Sequence, residues 1–232
     1  MTQTPLTTGE LVPSELAWLS GDQFAGKKTF NDWETTILGS DAKVSVKQLA
    51  GAVAAAALLA AEQAGAIRLE VRAKKTLFGL RSVTTLYAVP GDVTANWPEH
   101  TLEARVAPLA RQLQANKDKH EVDRIIHDLL SEDVGNPWGE LLDMVGAGLE
   151  SRNLLESQQV KKLKVFNVAV WALPERTSAI LAEQTAAGVR QLVADAEKNR
   201  PEVWKLLTDK IQSGLKSRVE SDSGSGSDSS SD

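Results

Sequence analysis

The stretch of this sequence with the clearest chemical potential mixes basic and apolar side chains within ten residues. Lysine and arginine there attract anionic groups, while leucine and phenylalanine can enter the interface of a lipid bilayer. This mixture predicts contact with an anionic membrane surface. The candidate residues are Arg72, Lys74, Lys75, Leu77, Phe78, Leu80 and Arg81. The alternative is that Leu77, Phe78 and Leu80 fold back onto the core.

A second, weaker version of the same mixture occurs later in the chain. Three lysines there stand beside Val165 and a phenylalanine, and the candidates are Lys161, Lys162, Lys164 and Phe166. A helix followed by a basic hairpin also describes a winged helix, which holds nucleic acid phosphates through its wing. However, the helix before the first hairpin is apolar and the helix before the second is acidic, so neither suits a DNA groove.

Catalytic chemistry has little support in the sequence. The chain has no cysteine, which excludes disulfides, thiolate metal sites and cysteine nucleophiles. His120 and His127 are seven residues apart, a spacing that predicts a shared, solvent-exposed helix face rather than a metal site. No phosphate-binding glycine loop, nucleophile elbow or metalloprotease motif is present. We therefore expect a protein that is not an enzyme and needs no cofactor or metal.

The composition is that of an ordinary folded protein. The net charge is −5, with 42% hydrophobic and 25% charged residues among 232, so any binding of nucleic acid or anionic lipid needs a local basic patch. Residues 1–10 are polar and lack the basic start and apolar run of a signal peptide. We expect a cytoplasmic protein, peripheral on the cytoplasmic face of a membrane if it binds lipid.

One apolar helix must position these residues. Residues 46–64 carry polar side chains only near their ends, so the predicted helix has no polar face and must be buried on all sides. Gly65 follows, in the position that favours a left-handed conformation. Apolar and polar residues then alternate over 66–72, which predicts a strand. A basic loop is predicted over 73–81 and a second strand over 82–89.

The same order of elements recurs later. A helix over residues 138–152 is followed by Asn153, which also tolerates the left-handed conformation, and then by a second hairpin. Amphipathic helices are predicted near residues 102–113, 122–130, 178–198 and 201–215, with a short helix over 30–38. We expect a mainly α single domain over 11–219, a flexible N-terminus over 1–10 and a disordered Ser/Gly/Asp tail over 220–232.

In order along the chain, several segments resemble the Golgi phosphoprotein 3-like family, in particular its bacterial branch. The similar segments are LVPSELAWLSGD from Leu11, AGAIRL before the first hairpin, RAKKTLFGLR, the turn Val89-Pro90-Gly91-Asp92, SEDVGNPWG from Ser131 and GLESRNLL from Gly148. The resemblance implies a helical domain with a buried central helix that binds membranes peripherally. It also implies recognition of phosphatidylinositol 4-phosphate, an adaptor role in sorting glycosyltransferases, and oligomerisation through the second hairpin.

Together these patterns predict a non-enzymatic, adaptor-like protein that binds anionic lipid or a membrane surface. The first alternative is a protein–protein interaction scaffold without lipid binding, which uses the hairpins as docking surfaces. A winged-helix-like nucleic-acid binder is the less favoured third hypothesis.

Overall fold

A single buried helix forms the centre of the fold in the computed structural model, which describes residues 10–30, 32–40, 42–76, 81–116, 119–131, 135–162 and 166–222. The helices are α1 (Pro13–Leu19), α2 (Val46–Gln63), α3 (Leu102–Ala115), α4 (Val122–Leu129), α5 (Pro137–Ser151), α6 (Glu175–Glu183), α7 (Ala187–Asn199) and α8 (Pro201–Asp222). The strands are β1 (Glu34–Thr36), β2 (Lys43–Ser45), β3 (Ile67–Thr76), β4 (Arg81–Pro90), β5 (Glu156–Lys162) and β6 (Phe166–Ala172), and a short 3-10 helix covers Gly21–Gln23.

The central helix α2 confirms the prediction from its apolar sequence. Ser45 caps it, since the Ser45 hydroxyl accepts a 3.0 Å hydrogen bond from the Gln48 amide. Every residue from 53 to 61 is buried. Its alanines present little bulk, so α1, α3, α5, α7 and α8 all pack against it. Gly65 ends the helix with φ +74°, the left-handed conformation that the sequence predicted.

The mainly α fold with two hairpins after Gly65 and Asn153 is confirmed. Asn153 takes φ +56° and is followed by the antiparallel pair β5–β6, as Gly65 is followed by β3–β4. The strand pairs are separate two-stranded sheets that lie around the helical core. The repeated order of helix, left-handed residue and hairpin is therefore real at the level of structure.

Two predicted helices were wrong. Residues 30–38 contain the strand β1 instead of a helix. This strand pairs with β2 through Glu34↔Ser45 and Thr36↔Lys43, so the backbone here bonds to the strand that leads into α2 and not to its own next turn. The single helix predicted over 178–198 is interrupted between α6 and α7. Gln184 lies at that break, and its side-chain oxygen accepts a 2.8 Å hydrogen bond from the Leu11 amide.

The chain ends differ in part from the predicted boundaries. Leu11 is buried and begins the packed region, as expected. Helix α8 continues to Asp222, so the first residues assigned to the tail are helical. Residues 1–9 and 223–232, where the flexible N-terminus and the rest of the tail were predicted, lie outside the described residues.

A buried polar cluster joins α1 to the rest of the domain. Glu15 in α1 forms an ion pair with Arg152, and its other oxygen accepts the Val12 amide at 3.0 Å. Glu103 in α3 accepts hydrogen bonds from the amide and the hydroxyl of Ser14, both at 2.8 Å. Burial raises the pKa of Glu103 to about 7, and it also raises the pKa of Glu15 although Arg152 opposes the change.

Candidate functional site

The first hairpin, β3–β4, has a buried base and an exposed distal half. Ile67, Leu69, Leu86 and Ala88 at the base are buried in the core. The ladder continues for four residue pairs beyond Arg72↔Thr85, to Thr76↔Arg81. At about 3.3 Å per residue these pairs extend the hairpin by about 13 Å. The exposed residues in this distal half are Ala73, Lys74, Ser82, Val83 and Thr84.

This ladder corrects the loop predicted over residues 73–81. Of the residues predicted as a loop, 73–76 and 81 are paired strand residues, so the connection between the strands is only 77–80. Leu77, Phe78 and Leu80 fall on that connection and lie outside the described residues. Lys75 and Arg81 belong to the strands, as the Cα partners of Ser82 and Thr76, and only their backbone is described.

One face of β3 carries a row of charged side chains. Residues two apart in a strand share a face, so Arg68, Glu70, Arg72 and Lys74 follow one another along one face of β3. The carboxylate of Glu70 lies 3.5 Å from Arg68 and 2.8 Å from Arg72. The Arg72 guanidinium also lies over the Tyr87 ring, 5.1 Å from its centroid. The guanidinium groups of Arg68 and Arg72 thus share one carboxylate, and that of Arg72 also contacts an aromatic ring.

Lys74 links the hairpin to the helical body. Its ammonium forms an ion pair with Glu121 at the start of α4, a residue 6% exposed, and the hydrogen bond to Glu121 raises the pKa of Lys74. The pair lines a charged cleft of about 400 Å³ that Ser213 and Ser217 of α8 also line. Lys74 therefore orients the hairpin as well as adding charge to it.

The second hairpin is shorter. Lys161 and Lys162 end β5, and Phe166 begins β6 opposite Lys162, while Lys164 lies outside the described residues. The side chains of Lys161, Lys162 and Phe166 are not described. At its base, Trp171 packs so close to Gly146 of α5 that an added Cβ would approach the indole to 2.9 Å.

An exposed aromatic surface at the start of α2 was missed by the sequence reasoning. Phe30 is 95% exposed and Trp33 is 51% exposed. The Lys47 ammonium lies 5.8 Å from the centroid of the Trp33 ring and 5.0 Å from that of Trp138. We call the exposed Phe30 and Trp33, Lys47 and the buried Trp138 the aromatic patch. The adjacent Gly26-Lys27-Lys28 turn was the available signal, since it places basic residues beside Phe30.

The aromatic patch and the first hairpin both lie beside helix α8. Helix α8 runs antiparallel to α2, because Arg200 pairs with Glu62 at 2.6 Å near one end and Gln212 donates to the Lys47 carbonyl at 3.3 Å near the other. Gln212 also accepts from the Trp138 indole at 3.0 Å. Ser213, the next residue, lines the cleft that Lys74 also lines. Each of the two surfaces therefore lies beside α8.

The histidine prediction was wrong. His120 is fully buried before α4 begins and packs against Tyr87 at 5.0 Å between ring centroids. His127 lies in α4 and contacts Asp128 at 2.7 Å. The two residues do not form an exposed helix face. In the described parts of the chain, no three acidic or histidine side chains lie close enough together to hold a metal ion.

No protein-family model, curated protein or solved structure matches the chain. The resemblance to the Golgi phosphoprotein 3-like family therefore stays a prediction from sequence. Within the described ranges, every helix is too short or too polar to cross a bilayer.

Proposed function

We propose that this is a non-enzymatic, adaptor-like protein that binds anionic membrane surfaces through the first hairpin. The observation that carries the proposal is the distal half of β3–β4, which continues four residue pairs past Arg72↔Thr85 and leaves the side chains of Val83 and Thr84 exposed, while Lys74 is half-exposed in its ion pair with Glu121. An extended hairpin of this kind can reach a flat surface without any rearrangement of the core. In sequence, the candidate residues Leu77, Phe78 and Leu80 fall between the two strands, outside the described residues.

Charge concentration supports the same function. The hairpin contains five basic residues and one acidic residue, so its net charge is 5 − 1 = +4 in a chain of net charge −5. Each Lys or Arg near an anionic bilayer contributes about 1 kcal/mol to binding. The negative charge elsewhere opposes approach, but it is screened beyond about 10 Å at moderate salt.

The ion pairs on the hairpin do not remove its attraction for a bilayer. The partly exposed Arg72–Glu70 and Arg68–Glu70 pairs are each worth about 0–1 kcal/mol, similar to what an anionic surface offers each arginine. Lys74 differs, because its partner Glu121 is buried. Replacing Lys74 by Glu would place two carboxylates together and destabilise the fold, so Lys74 is a poor choice for testing the charge.

Headgroup specificity finds less support than general anionic binding. The Ser45 hydroxyl at the start of α2 is buried, donates to Asp32 and accepts from the Gln48 amide, so these contacts occupy a group that could otherwise bind a phosphate. Recognition of phosphatidylinositol 4-phosphate and sorting of glycosyltransferases therefore stay predictions of the family resemblance. A groove-reading role for α2 is disfavoured because its middle, residues 53–61, is buried.

A protein–protein scaffold is the second candidate, and one feature of β3 favours it. The Leu69 amide faces away from β4 and donates to Glu62 at 2.9 Å. Because an antiparallel ladder alternates, the amides of Val71 and Ala73 also face away from β4. This outer edge has the geometry to accept an extended peptide from a partner. Peptide binding at this edge would not depend on whether vesicles are present.

The test separates charge from apolar insertion by co-sedimentation with vesicles of phosphatidylcholine containing phosphatidylserine. We expect Lys75→Glu with Arg81→Glu to weaken binding, and more so at low salt. We expect Phe78→Ser to weaken binding with little salt dependence, since it removes apolar contact.

The matched control is Lys198→Glu with Lys205→Glu, which reverses two exposed charges on α7 and α8. Thermal unfolding of each variant checks that the fold is intact. The proposal fails if the hairpin variants bind as well as the control does. A loss of stability in Phe78→Ser with unchanged vesicle binding would show that Phe78 packs on the core.

A further inference from the structure

We infer that a cleft between α6, α7 and the end of α1 binds a short zwitterionic peptide with aliphatic side chains. We call it the leucine cleft, and its volume is about 580 Å³. This volume is within the range of sites that enclose ligands larger than a single amino acid. No described residue of the first hairpin lines the leucine cleft, so this ligand goes beyond the proposed membrane function.

Four leucines from separate segments form the apolar wall of the leucine cleft. Leu19 ends α1, Leu38 precedes the turn at Gly39, Leu173 follows β6 and Leu181 lies in α6. The last three are only half-buried where they pack against the core, so they keep apolar surface that a ligand can cover. Covering such surface with aliphatic side chains is favourable in water.

The break between α6 and α7 supplies a group for a carboxylate. The 2.8 Å hydrogen bond between the Leu11 amide and Gln184 holds this break against the start of the domain. Ala186, which precedes α7, lines the leucine cleft, and Arg190 lines it one helical turn later on the same side. The guanidinium of Arg190 can bind a ligand carboxylate through two parallel hydrogen bonds.

An acidic residue lines the same cleft from another segment. Asp22 lies in the short 3-10 helix after α1. In the part of the chain that the structure describes, neither Asp22 nor Arg190 forms an ion pair, so the two charged groups are not in contact with each other. Both remain able to pair with a ligand.

These two charges select the class of ligand. A simple anion such as a fatty acid would bind Arg190 but be repelled by Asp22, whereas a ligand with a carboxylate and an ammonium group satisfies both. A free amino acid carries both groups on one carbon. A dipeptide carries them at opposite ends of a longer body, which suits charged residues that lie on different elements and are not in contact.

Isothermal titration calorimetry of the full chain with leucyl-leucine tests the site. We expect wild-type protein to bind, and Arg190→Gln and Asp22→Asn each to weaken binding about tenfold. Both side chains are exposed, so their replacement should leave packing intact. The matched controls are Arg176→Gln and Glu183→Gln, which neutralise exposed charges on α6 outside the leucine cleft and should bind like wild type.

Modified ligands show which charge pairs with which residue. N-acetyl-leucyl-leucine lacks the ammonium group, so it should bind wild type about tenfold more weakly but lose nothing further in Asp22→Asn. Leucyl-leucine amide lacks the carboxylate and should show the same relation with Arg190→Gln. Glycylglycine keeps both charges without the aliphatic side chains, and we expect it to bind at least about tenfold more weakly than leucyl-leucine.

Several outcomes would overturn the inference. They are an absence of heat on titration with leucyl-leucine, equal binding by the two charge variants and the controls, or equal binding of the acetylated and free peptides. Free leucine that binds as tightly as leucyl-leucine would also overturn it, since the ligand would then be an amino acid and not a peptide.

Discussion

Replacing Glu103 by glutamine should change how stability depends on pH. Glu103 is fully buried, and its two carboxylate oxygens accept the amide and hydroxyl of Ser14. The nearby Arg152 pairs with Glu15 instead, and the charge of Glu15 further disfavours ionisation of Glu103. Glutamine has the same shape and stays neutral, and its amide can serve both Ser14 groups.

The magnitude follows from the displaced pKa. Burial raises the pKa of Glu103 from 4.5 to about 7, a change that corresponds to about 3 kcal/mol. Between these values the unfolded chain releases the proton while the folded protein keeps it. The free energy of unfolding therefore falls as pH rises through this window, by at most about 3 kcal/mol. Glu103→Gln removes this loss, so its advantage over wild type should grow with pH.

Urea unfolding from about pH 5 to about pH 8 measures this difference. An unchanged slope of the free energy of unfolding against urea concentration checks that the variant unfolds between the same two states as the wild type. The control is Glu183→Gln, which neutralises an exposed carboxylate in α6. The reasoning is refuted if Glu103→Gln differs from wild type by the same amount at every pH. It is also refuted if the variant loses stability relative to wild type as pH rises.

Two further predictions concern backbone positions. Gly214→Ala should destabilise the fold by about 1–3 kcal/mol in urea unfolding, because its Cβ would lie 2.5 Å from the Asp123 carbonyl in α4. Gly188→Ala, with nothing within 4 Å of its added Cβ, should instead be neutral or stabilising. Asn153→Ala should lower the thermal midpoint because φ is +56° there, whereas Asn153→Gly should not; equal midpoints would contradict this explanation.

Local sequence patterns were enough to predict the centre of this fold. An apolar run with polar ends has only one stable environment, so α2 could be placed and its burial inferred. Gly65 and Asn153 marked the left-handed helix ends, and alternation after Gly65 marked β3. These features depend on neighbours within a few residues, which a sequence displays directly.

The errors came from features set by contacts between distant segments. The spacing of apolar residues over 30–38 fits a short helix, but pairing with β2 makes the chain extended there and leaves Phe30 and Trp33 outside the core. The Lys74–Glu121 ion pair joins residues 47 positions apart in the sequence, with β4 and α3 between them. The burial of Glu103 and its contact with Ser14 likewise depend on how α1 docks on α3.

Binding of the wild-type protein to vesicles of two compositions tests the central claim most directly. The protein should co-sediment with vesicles of phosphatidylcholine and phosphatidylserine, should remain in the supernatant with phosphatidylcholine alone, and should be released as salt is raised. Equal behaviour with the two compositions, whether binding or its absence, would contradict the account.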